Sequence, residues 1–390
     1  MAYALNEPVP ATPTWLANAR LVLADEVLDG HVAVSGDRIA AIETGPAPPT
    51  AVDLCGDYLL PGLVDIHTDH FEKHVYPRAH VQWDCVRAAL SHDAQIIGAG
   101  ITTVFDSICV GATYDNPNRR QILAPMIDAL ERAHDAGMLR AEHFVHLRCE
   151  VTDRETTRLT AENIDRKIVR VLSVMEHLPG IRQSRNLDRY VERNEKRSGK
   201  SAEVIRGEID ALIERCGAIG SEVRPEIVAL AHEHGLPLLS HDDTELEHID
   251  QALAENVTVS EFPCTLEAAR KARAHGMMIV GGAPNVLLGG SQSGNVAVKD
   301  LLAEHLVDIL ASDYVPRAML DAVFQIADDD DLPYTLPDAV RMATRTPAEI
   351  AGLEDRGEIA VDRRADLLRV GVQESHPVLK QVWRAGKHVL

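Results

Sequence analysis

Short apolar runs alternate with helical patterns through the middle of the chain. Eight of these runs have the length and the β-branched content of buried strands. In chain order they are GLVDIH, GITTVFDS, HFVHLRCEV, IVRVLSVMEH, LPLLSH, VTVSEFP, GMMIVGGAPN and VDILASD. Eight strands that alternate with helices are typical of an α/β fold in which a parallel sheet closes on itself. The pattern therefore predicts a (β/α)₈ TIM-like barrel.

The helices between these runs can be placed from their own apolar periodicity. Apolar residues from Ile122 to Leu130 mark one helix face, and Gly137 is a suitable carboxyl-terminal cap. Pro225 is predicted to begin a further helix, which Gly235 ends. These segments separate the predicted strands, as a barrel of parallel strands requires.

Both ends of the chain show a different pattern, in which apolar and polar residues alternate between glycines. The segments WLANARLVLADEVLDGHVAVSGDRIAAIETG and RGEIAVDRRADLLRVGVQESHPVLKQVWRAGKHVL indicate short antiparallel strands. Neither end is long enough to form a stable sheet alone. The sequence predicts that residues 1–60 and 350–390 form one small β-sandwich domain, and that residues 61–349 form the barrel.

Composition and charge restrict the partners of the protein. Its 390 residues carry a net charge of −21, which disfavours nucleic acid and anionic membranes, and no apolar run reaches the length of a membrane span. A small anionic substrate would need a local basic pocket. Six scattered cysteines without a C-x-x-C pair indicate reduced thiols in the cytoplasm. Composition and charge do not exclude that the protein forms a homo-oligomer.

Residue types that bind metals follow most of the predicted strands. In a parallel barrel, the chemistry lies at the carboxyl ends of the strands. The residues at those ends are His67, Asp69, Glu150, His177, His241, Glu261 and Asp313. His67 and Asp69 are two positions apart and would point to the same side of a strand. One such histidine alone could equally be a buried polar group, but this many strand ends in register favour a divalent metal site.

At these residues the sequence resembles the amidohydrolase superfamily, whose members are metal-dependent barrels with a small β domain built from both termini. The resemblance is carried by PGLVDIHTDHFEKH, GITTVFDS, HLRCEV, LSHDD, EFPCTLEAARKARAHGM, GGAPNVLLGGSQSGN and LASDYVP. It is greatest for a subgroup of diphosphatases in phosphonate degradation. That subgroup shares two departures from the superfamily pattern, Asp69 and Glu261, each in place of a histidine.

The resemblance implies a set of metal-binding and catalytic residues. The implied metal ligands are His67, Asp69, Glu150, His241, Glu261 and Asp313. Asp313 also matches the general base at the last strand, and His177 is a second catalytic candidate. The implied cofactor is one or two divalent metal ions per chain, with zinc as the first candidate and manganese or iron as alternatives.

The resemblance also implies a phosphorylated substrate, α-D-ribose 1-methylphosphonate 5-triphosphate, which loses pyrophosphate to leave the 5-phosphate. Because the chain is acidic, local basic and amide groups must bind this anion. The candidates are Lys73, His74, Arg78, Arg182, Asn285, Ser293 and Asn295. Arg182 opens a basic segment after the fourth strand. Ser293 and Asn295 belong to a loop of small residues, Gly289 to Asn295, that could surround phosphate with backbone amides, and Asn285 ends the GGAPN stretch before it.

Two other functions are compatible with the same pattern. One is a hydrolase that acts on an amide or a cyclic amide, such as a deacetylase, with the same metal site. The other is a barrel that has lost catalysis and serves as a scaffold in a multiprotein complex. The joint presence of His67, Asp69, Glu150, His241 and Asp313 speaks against the scaffold.

Overall fold

The computed structural model describes residues 13–78, 81–113, 116, 118–182, 187–291 and 294–390. Its strands, numbered in chain order, are β1 (Thr14–Val22), β2 (Val27–Ser35), β3 (Arg38–Glu43), β4 (Val52–Asp53), β5 (Tyr58–Pro61), β6 (Leu63–Thr68), β7 (Ile101–Val110), β8 (Glu142–Glu150), β9 (Val169–Met175), β10 (Leu238–His241), β11 (Val259–Glu261), β12 (Met278–Gly282), β13 (Ile309–Ala311), β14 (Leu367–Gln373), β15 (His376–Arg384) and β16 (Lys387–His388). They form two sheets of eight strands each.

The first sheet joins the two ends of the chain. Its strand order is β16-β15-β14-β5-β1-β2-β3, and β4 pairs with β1. β14 runs antiparallel to β5, so the carboxyl-terminal strands are hydrogen-bonded directly to an amino-terminal strand. Leu21, Leu59, Leu367 and Trp383 are buried in one cluster of this sheet. The small β domain predicted from both ends is present in this form.

The second sheet is the predicted parallel barrel. Strands β6 to β13 follow one another in chain order, and each overlaps one of the eight predicted runs. The last strand meets the first through two backbone hydrogen bonds. Asp69 N donates to Asp313 O over 2.9 Å, and Asp313 N donates to His67 O over 3.0 Å. These bonds set the ends of β6 and β13 side by side.

Helices follow the barrel strands and cover the outer face of the barrel. They are α1 (His70–Val75), α2 (Cys85–Gly98), α3 (Arg119–Asp135), α4 (Thr156–Asn163), α5 (Leu187–Ser198), α6 (Ala202–Glu233), α7 (Leu246–Ala254), α8 (Leu266–Ala274), α9 (Ala283–Leu288), α10 (Val298–Ala303), α11 (Ala318–Asp328), α12 (Leu336–Met342) and α13 (Arg345–Ile350). In the part of the chain that the structure describes, none of them has the apolar length needed to cross a membrane.

One helix is longer than the sequence indicates. The prediction that Pro225 begins a new helix is wrong, because α6 continues through this residue. A proline inside a helix removes one backbone hydrogen bond. Val223 and Ile227, on either side of it, are buried in the main apolar core, and this packing offsets the lost bond. Gly235 follows the end of the helix with a φ of 63°, as its predicted capping role requires.

The interior of the barrel is filled with apolar side chains below its carboxyl end. Val64, Ile66, Phe105 and Leu239 belong to one buried cluster contributed by the barrel strands. A larger apolar cluster lies between the strands and the surrounding helices. Because the interior is filled in this way, the polar residues that end the strands meet at the mouth of the barrel.

Candidate active site

One carboxylate holds two histidines at the mouth of the barrel. Glu261 accepts a hydrogen bond from His67 Nδ1 at 2.6 Å and another from His241 Nδ1 at 2.7 Å. All three side chains are buried, and the two imidazole rings stack with centroids 5.5 Å apart. Burial alone would raise the pKa of Glu261, but His67 and His146 hold it well below its ordinary value. Since each Nδ1 donates its proton, each Nε2 keeps a lone pair that can bind a cation.

A second group shares His241 and extends toward β8. Glu150 Oε2 accepts from His177 Nδ1 at 3.0 Å, and Glu150 Oε1 accepts from Thr152 Oγ1 at 2.6 Å. His177, His241 and Asp242 offer ligand atoms that lie within 4.8 Å of one another. Burial raises the pKa of Asp242 to about 7. A cation beside this carboxyl would favour its charged form.

Several buried acceptor atoms at this mouth could bind a cation. His67 Nε2, Asp69 Oδ1 and Asp242 Oδ2 have no hydrogen-bond partner among the described residues. Lys73 Nζ lies 3.8 Å from Asp69 Oδ1, beyond hydrogen-bond range. His241 Nε2 lies 3.3 Å from Asp242 Oδ2, so one cation could bind both atoms. This set of nitrogen and oxygen atoms fits the divalent metal that the sequence predicts.

Asp313 lies beside Asp69 where β13 meets β6. Its φ of 54° is in the left-handed region, and its backbone hydrogen bonds to His67 and Asp69 hold it there. Such strain is common at functional sites. Burial, with the charge of Asp69, raises the pKa of Asp313 to about 6. A carboxylate with a pKa near neutrality is suited to accept a proton during catalysis.

A cleft at the mouth of the barrel brings these side chains together with one buried arginine. Asp69, His241, Asp242 and Asp313 line this cleft, and so does Arg148 from β8. The Arg148 side chain is buried, and its Nη2 lies 3.2 Å from His241 Nε2. Its Nε has no hydrogen-bond partner among the described residues. An arginine so placed can bind an anionic group in the cleft.

Comparison with known proteins places this arrangement in a family. The model of the amidohydrolase family matches residues 58–389. The chain belongs to this family. It is 40% identical over 374 residues to the alpha-D-ribose 1-methylphosphonate 5-triphosphate diphosphatase of Escherichia coli (strain K12), which covers 95% of this chain and 99% of that protein. An adenine deaminase of Desulfatibacillum aliphaticivorans is 26% identical over 362 residues, 91% of this chain and 54% of that protein.

Solved structures of other proteins share the fold of this amidohydrolase. The 5-methylcytosine deaminase of Klebsiella pneumoniae liganded with phosphonocytosine has a TM-score of 0.66 and 15% identity, with 97% of this chain and 98% of that chain covered. The N-acetylglucosamine-6-phosphate deacetylase of Pasteurella multocida has a TM-score of 0.62 and 12% identity, with 97% and 99% covered. At such low identity, the likeness concerns the fold alone.

The loop that was predicted to surround phosphate borders the cleft of this amidohydrolase. Asn285 and Asn295 both line the cleft. Asn285 Oδ1 accepts from Val298 N at 2.9 Å, and its Nδ2 donates to Val296 O at 3.3 Å. The Asn285 amide therefore holds the loop in place. Ser293, the other predicted residue of this loop, lies outside the described residues.

The three basic candidates on and after α1 do not share one location. Lys73 Nζ donates to Tyr314 O at 3.1 Å, and Tyr314 lines the cleft of this amidohydrolase. His74 instead faces His70, with ring centroids 4.8 Å apart. Arg78 is exposed and is not among the described residues that line the cleft. Of the three, Lys73 is therefore the one that contacts a described residue of the cleft lining.

Arg182 follows β9 in the chain, and its buried side chain lies against the end of β10. It is not among the described residues that line the cleft. Its Nη1 donates to His241 O at 3.0 Å and to Asp243 Oδ1 at 2.9 Å, and its Nε lies 3.5 Å from Glu176 Oε2. Two carboxylates thus balance its charge. The prediction of a phosphate contact rested on the basic segment that Arg182 opens, and in the structure its side chain anchors the backbone of His241.

Sequence reasoning missed Arg148 and Asp242, although both had a signal. Arg148 lies two positions before Glu150 on β8, and residues two apart in a strand point to the same side. Asp242 directly follows His241 at the end of β10, with a φ of 56°. Asp242 would have been indicated if the search for polar residues at the ends of strands had included the next residue. Arg148 would have been indicated if residues two positions apart on β8 had been considered together.

Proposed function

We propose that this protein hydrolyses α-D-ribose 1-methylphosphonate 5-triphosphate to the 5-phosphate and releases pyrophosphate, as a step of phosphonate degradation. The observation that carries the proposal is the 40% identity to the diphosphatase of Escherichia coli, which extends over 95% of this chain and 99% of that protein. Membership of the amidohydrolase family supports metal-dependent hydrolysis. The cleft supports it further, because it contains atoms that can bind a metal ion, a carboxylate that can accept a proton and a buried arginine that can bind an anion.

We assign one or two divalent ions to the mouth of the barrel, with zinc as the first candidate and manganese or iron as alternatives. The residues that would hold them are His67, Asp69, His241 and Asp242. Glu261 and Glu150, which the sequence suggested as ligands, orient imidazoles in this proposal, since each accepts a hydrogen bond from a histidine Nδ1. When bound, such an ion lowers the pKa of water and polarises phosphoryl oxygens.

Asp313 takes the proton of the attacking water in this proposal. Its carboxyl lines the cleft beside Asp69, and a pKa of about 6 leaves it ionised at neutral pH. Attack at the phosphorus nearest ribose forms a new P–O bond to the water oxygen. The bond from that phosphorus to the bridging oxygen breaks, and pyrophosphate leaves with the bonding electrons.

Arg148 and Lys73 supply the local positive charge that an acidic chain must provide for a triphosphate. Arg148 is buried in the cleft near the proposed ligands, so it is suited to the phosphoryl group that reacts. Lys73 is half exposed and lies over the ring of Tyr314, with its Nζ 5.1 Å from the ring centroid. It is suited to the outer phosphates, which lie nearer to solvent.

A cytoplasmic setting completes the proposal. All six cysteines are free, and four of them are buried. Free thiols persist where glutathione and thioredoxin keep them reduced. The substrate in this setting is a small phosphorylated anion, and the net charge of −21 argues against nucleic acid or an anionic membrane as a partner.

The proposal is tested with purified protein that has been stripped by a chelator and reloaded with zinc, manganese or ferrous iron. Pyrophosphate release from the ribose triphosphate is expected to require metal. The exposed His275→Ala variant is the matched control and should retain full activity. Rapid hydrolysis of an N-acetylated sugar phosphate or a cyclic amide without pyrophosphate release would favour the amide hydrolase. Failure of every substrate with the metal bound would favour the scaffold.

A further inference from the structure

Three histidines form a group outside the cleft, where α1 packs against α2. His70, His74 and His92 offer ring nitrogens that all lie within 4.8 Å of one another. His70 and His74 are four residues apart on α1 and therefore share one face of the helix, whereas His92 belongs to α2. The ring centroids are 4.8 Å apart for His70 and His74, and 5.4 Å and 5.8 Å from each of these to His92.

We propose that His70, His74 and His92 bind a further divalent transition-metal ion, zinc in the first place, separate from the ions of the cleft. Three imidazole nitrogens are a ligand set that suits zinc, with water in the fourth position. His70 Nδ1 and His92 Nδ1 are 3.2 Å apart. Two ligands of a tetrahedral zinc with bonds of about 2.0–2.1 Å are separated by about 3.3 Å.

A buried chain of carboxylates and imidazoles fixes the orientation of His92. Its Nε2 lies 2.6 Å from Asp106 Oδ1, so this nitrogen carries the proton and donates it. Asp106 is held in turn by His143, whose Nδ1 lies 2.7 Å from Asp106 Oδ2. The lone pair of His92 Nδ1 is thereby left on the side of His70 and His74. Histidines that bind metals are held by a carboxylate in this way, which also raises their basicity.

A hydrogen bond between two of the rings, without an ion, accounts for fewer of these contacts than a shared ion does. One hydrogen bond between His70 Nδ1 and His92 Nδ1 would account for the 3.2 Å contact. That bond gives no reason for His74 to bring its ring to the same point, nor for a buried carboxylate to hold His92. A shared cation accounts for all three rings at once, as ligands on one face of α1 and a third from the neighbouring helix.

The ion would fix α1 at the edge of the cleft. This helix has six residues, which is too few for a helix to be stable by itself. It follows directly on Asp69 and carries Lys73. Tying both of its histidines to α2 would hold these two residues in place, although the ion itself lies outside the cleft.

The experiment measures the zinc content and zinc affinity of four proteins: wild type, His74→Ala, His241→Ala and the exposed control His275→Ala. His74→Ala is expected to lose about one equivalent of zinc per chain, or to bind it at least about 100-fold more weakly, while the cleft keeps its metal. His241→Ala should show the reverse, with the three-histidine ion retained. The control should match wild type. This contrast separates the proposal from the proposed function, which concerns the cleft alone.

Equal zinc stoichiometry and equal affinity in folded His74→Ala and wild type would overturn the proposal. If circular dichroism shows that His74→Ala does not fold, wild-type crystals equilibrated with zinc decide the matter. An anomalous peak at the zinc edge within bonding distance of His70, His74 and His92 would establish the site. A map with no peak there at saturating zinc would refute it.

Discussion

His67 Nδ1 lies 2.6 Å from Glu261 Oε1, so a residue at the end of the first barrel strand is held by one at the end of the sixth. The other oxygen of the same carboxylate holds His241 from the fifth strand. Both bonds fix the proton on Nδ1 and leave Nε2 for a cation. The geometry of the proposed metal site therefore depends on a carboxylate that need not touch the metal.

Glu261→Gln should weaken metal binding because an amide has one acceptor oxygen. It can hold one imidazole, and it turns its NH₂ group toward the donor of the other. We expect about 10–100-fold weaker zinc binding, measured by competition with a chromophoric chelator, with the fold checked by circular dichroism. The matched control is Glu267→Gln on α8, where the side chain is exposed. Unchanged affinity in Glu261→Gln would contradict the orienting role.

Asp313→Asn should lower turnover about 10²–10⁴-fold, because the amide keeps the shape but cannot accept a proton. The pH profile of the wild type gives an independent check. The carboxylate must be ionised, so kcat/KM should fall as the pH is lowered through its pKa. That pKa is about 6 without metal, and a bound cation lowers it. A variant that retains wild-type turnover over the whole profile would exclude Asp313 as the base.

Lys73→Met should weaken the triphosphate more than the monophosphate product, because the proposal assigns Lys73 to the outer phosphates, which the product has lost. A charge-assisted hydrogen bond contributes about 1.5–3 kcal/mol. We therefore expect kcat/KM to fall roughly 10- to 150-fold, compared with a smaller change in inhibition by the monophosphate at fixed salt. If both ligands weaken equally, Lys73 does not bind the outer phosphates.

Arg182→Met should reduce stability without changing this discrimination. The substitution leaves Asp243 buried without its cation, and breaking a buried ion pair costs about 3–5 kcal/mol. Two serine hydroxyls, from Ser240 and Ser260, still donate to Asp243, which favours the lower end. Urea unfolding measures the loss against the exposed control Arg154→Met. A selective loss of triphosphate binding in folded Arg182→Met would restore its role as a phosphate ligand.

The barrel could be predicted because its signal is local. Each of the eight runs is long enough for a buried strand, and each overlaps one strand of the ring. The strand-end rule then located His67, Glu261 and Asp313 before any distance was known, since parallel strands bring their carboxyl ends together. The similar alternation at both ends of the chain predicted that they meet in one β domain, and the pairing of β14 with β5 is how they do so.

The remaining features depend on contacts between residues that are far apart in the sequence, and no local pattern contains these contacts. A basic residue such as Arg182 reads the same in sequence whether it faces phosphate or a buried carboxylate. Pro225 marks a helix start by its own preference, but the packing of α6 overrides that preference. His74 was assigned to the substrate from its place after the first strand. Its contact with His92 could not be foreseen, because it arises only when α1 and α2 pack together.

The most direct test of the proposed reaction is ³¹P NMR of the products formed from the ribose triphosphate in ¹⁸O-labelled water by the metal-loaded enzyme. We predict equal amounts of pyrophosphate and α-D-ribose 1-methylphosphonate 5-phosphate. The label should be in the 5-phosphate group, because water attacks the phosphorus nearest ribose. Release of labelled orthophosphate, label in the pyrophosphate, or an unchanged triphosphate spectrum would contradict the account.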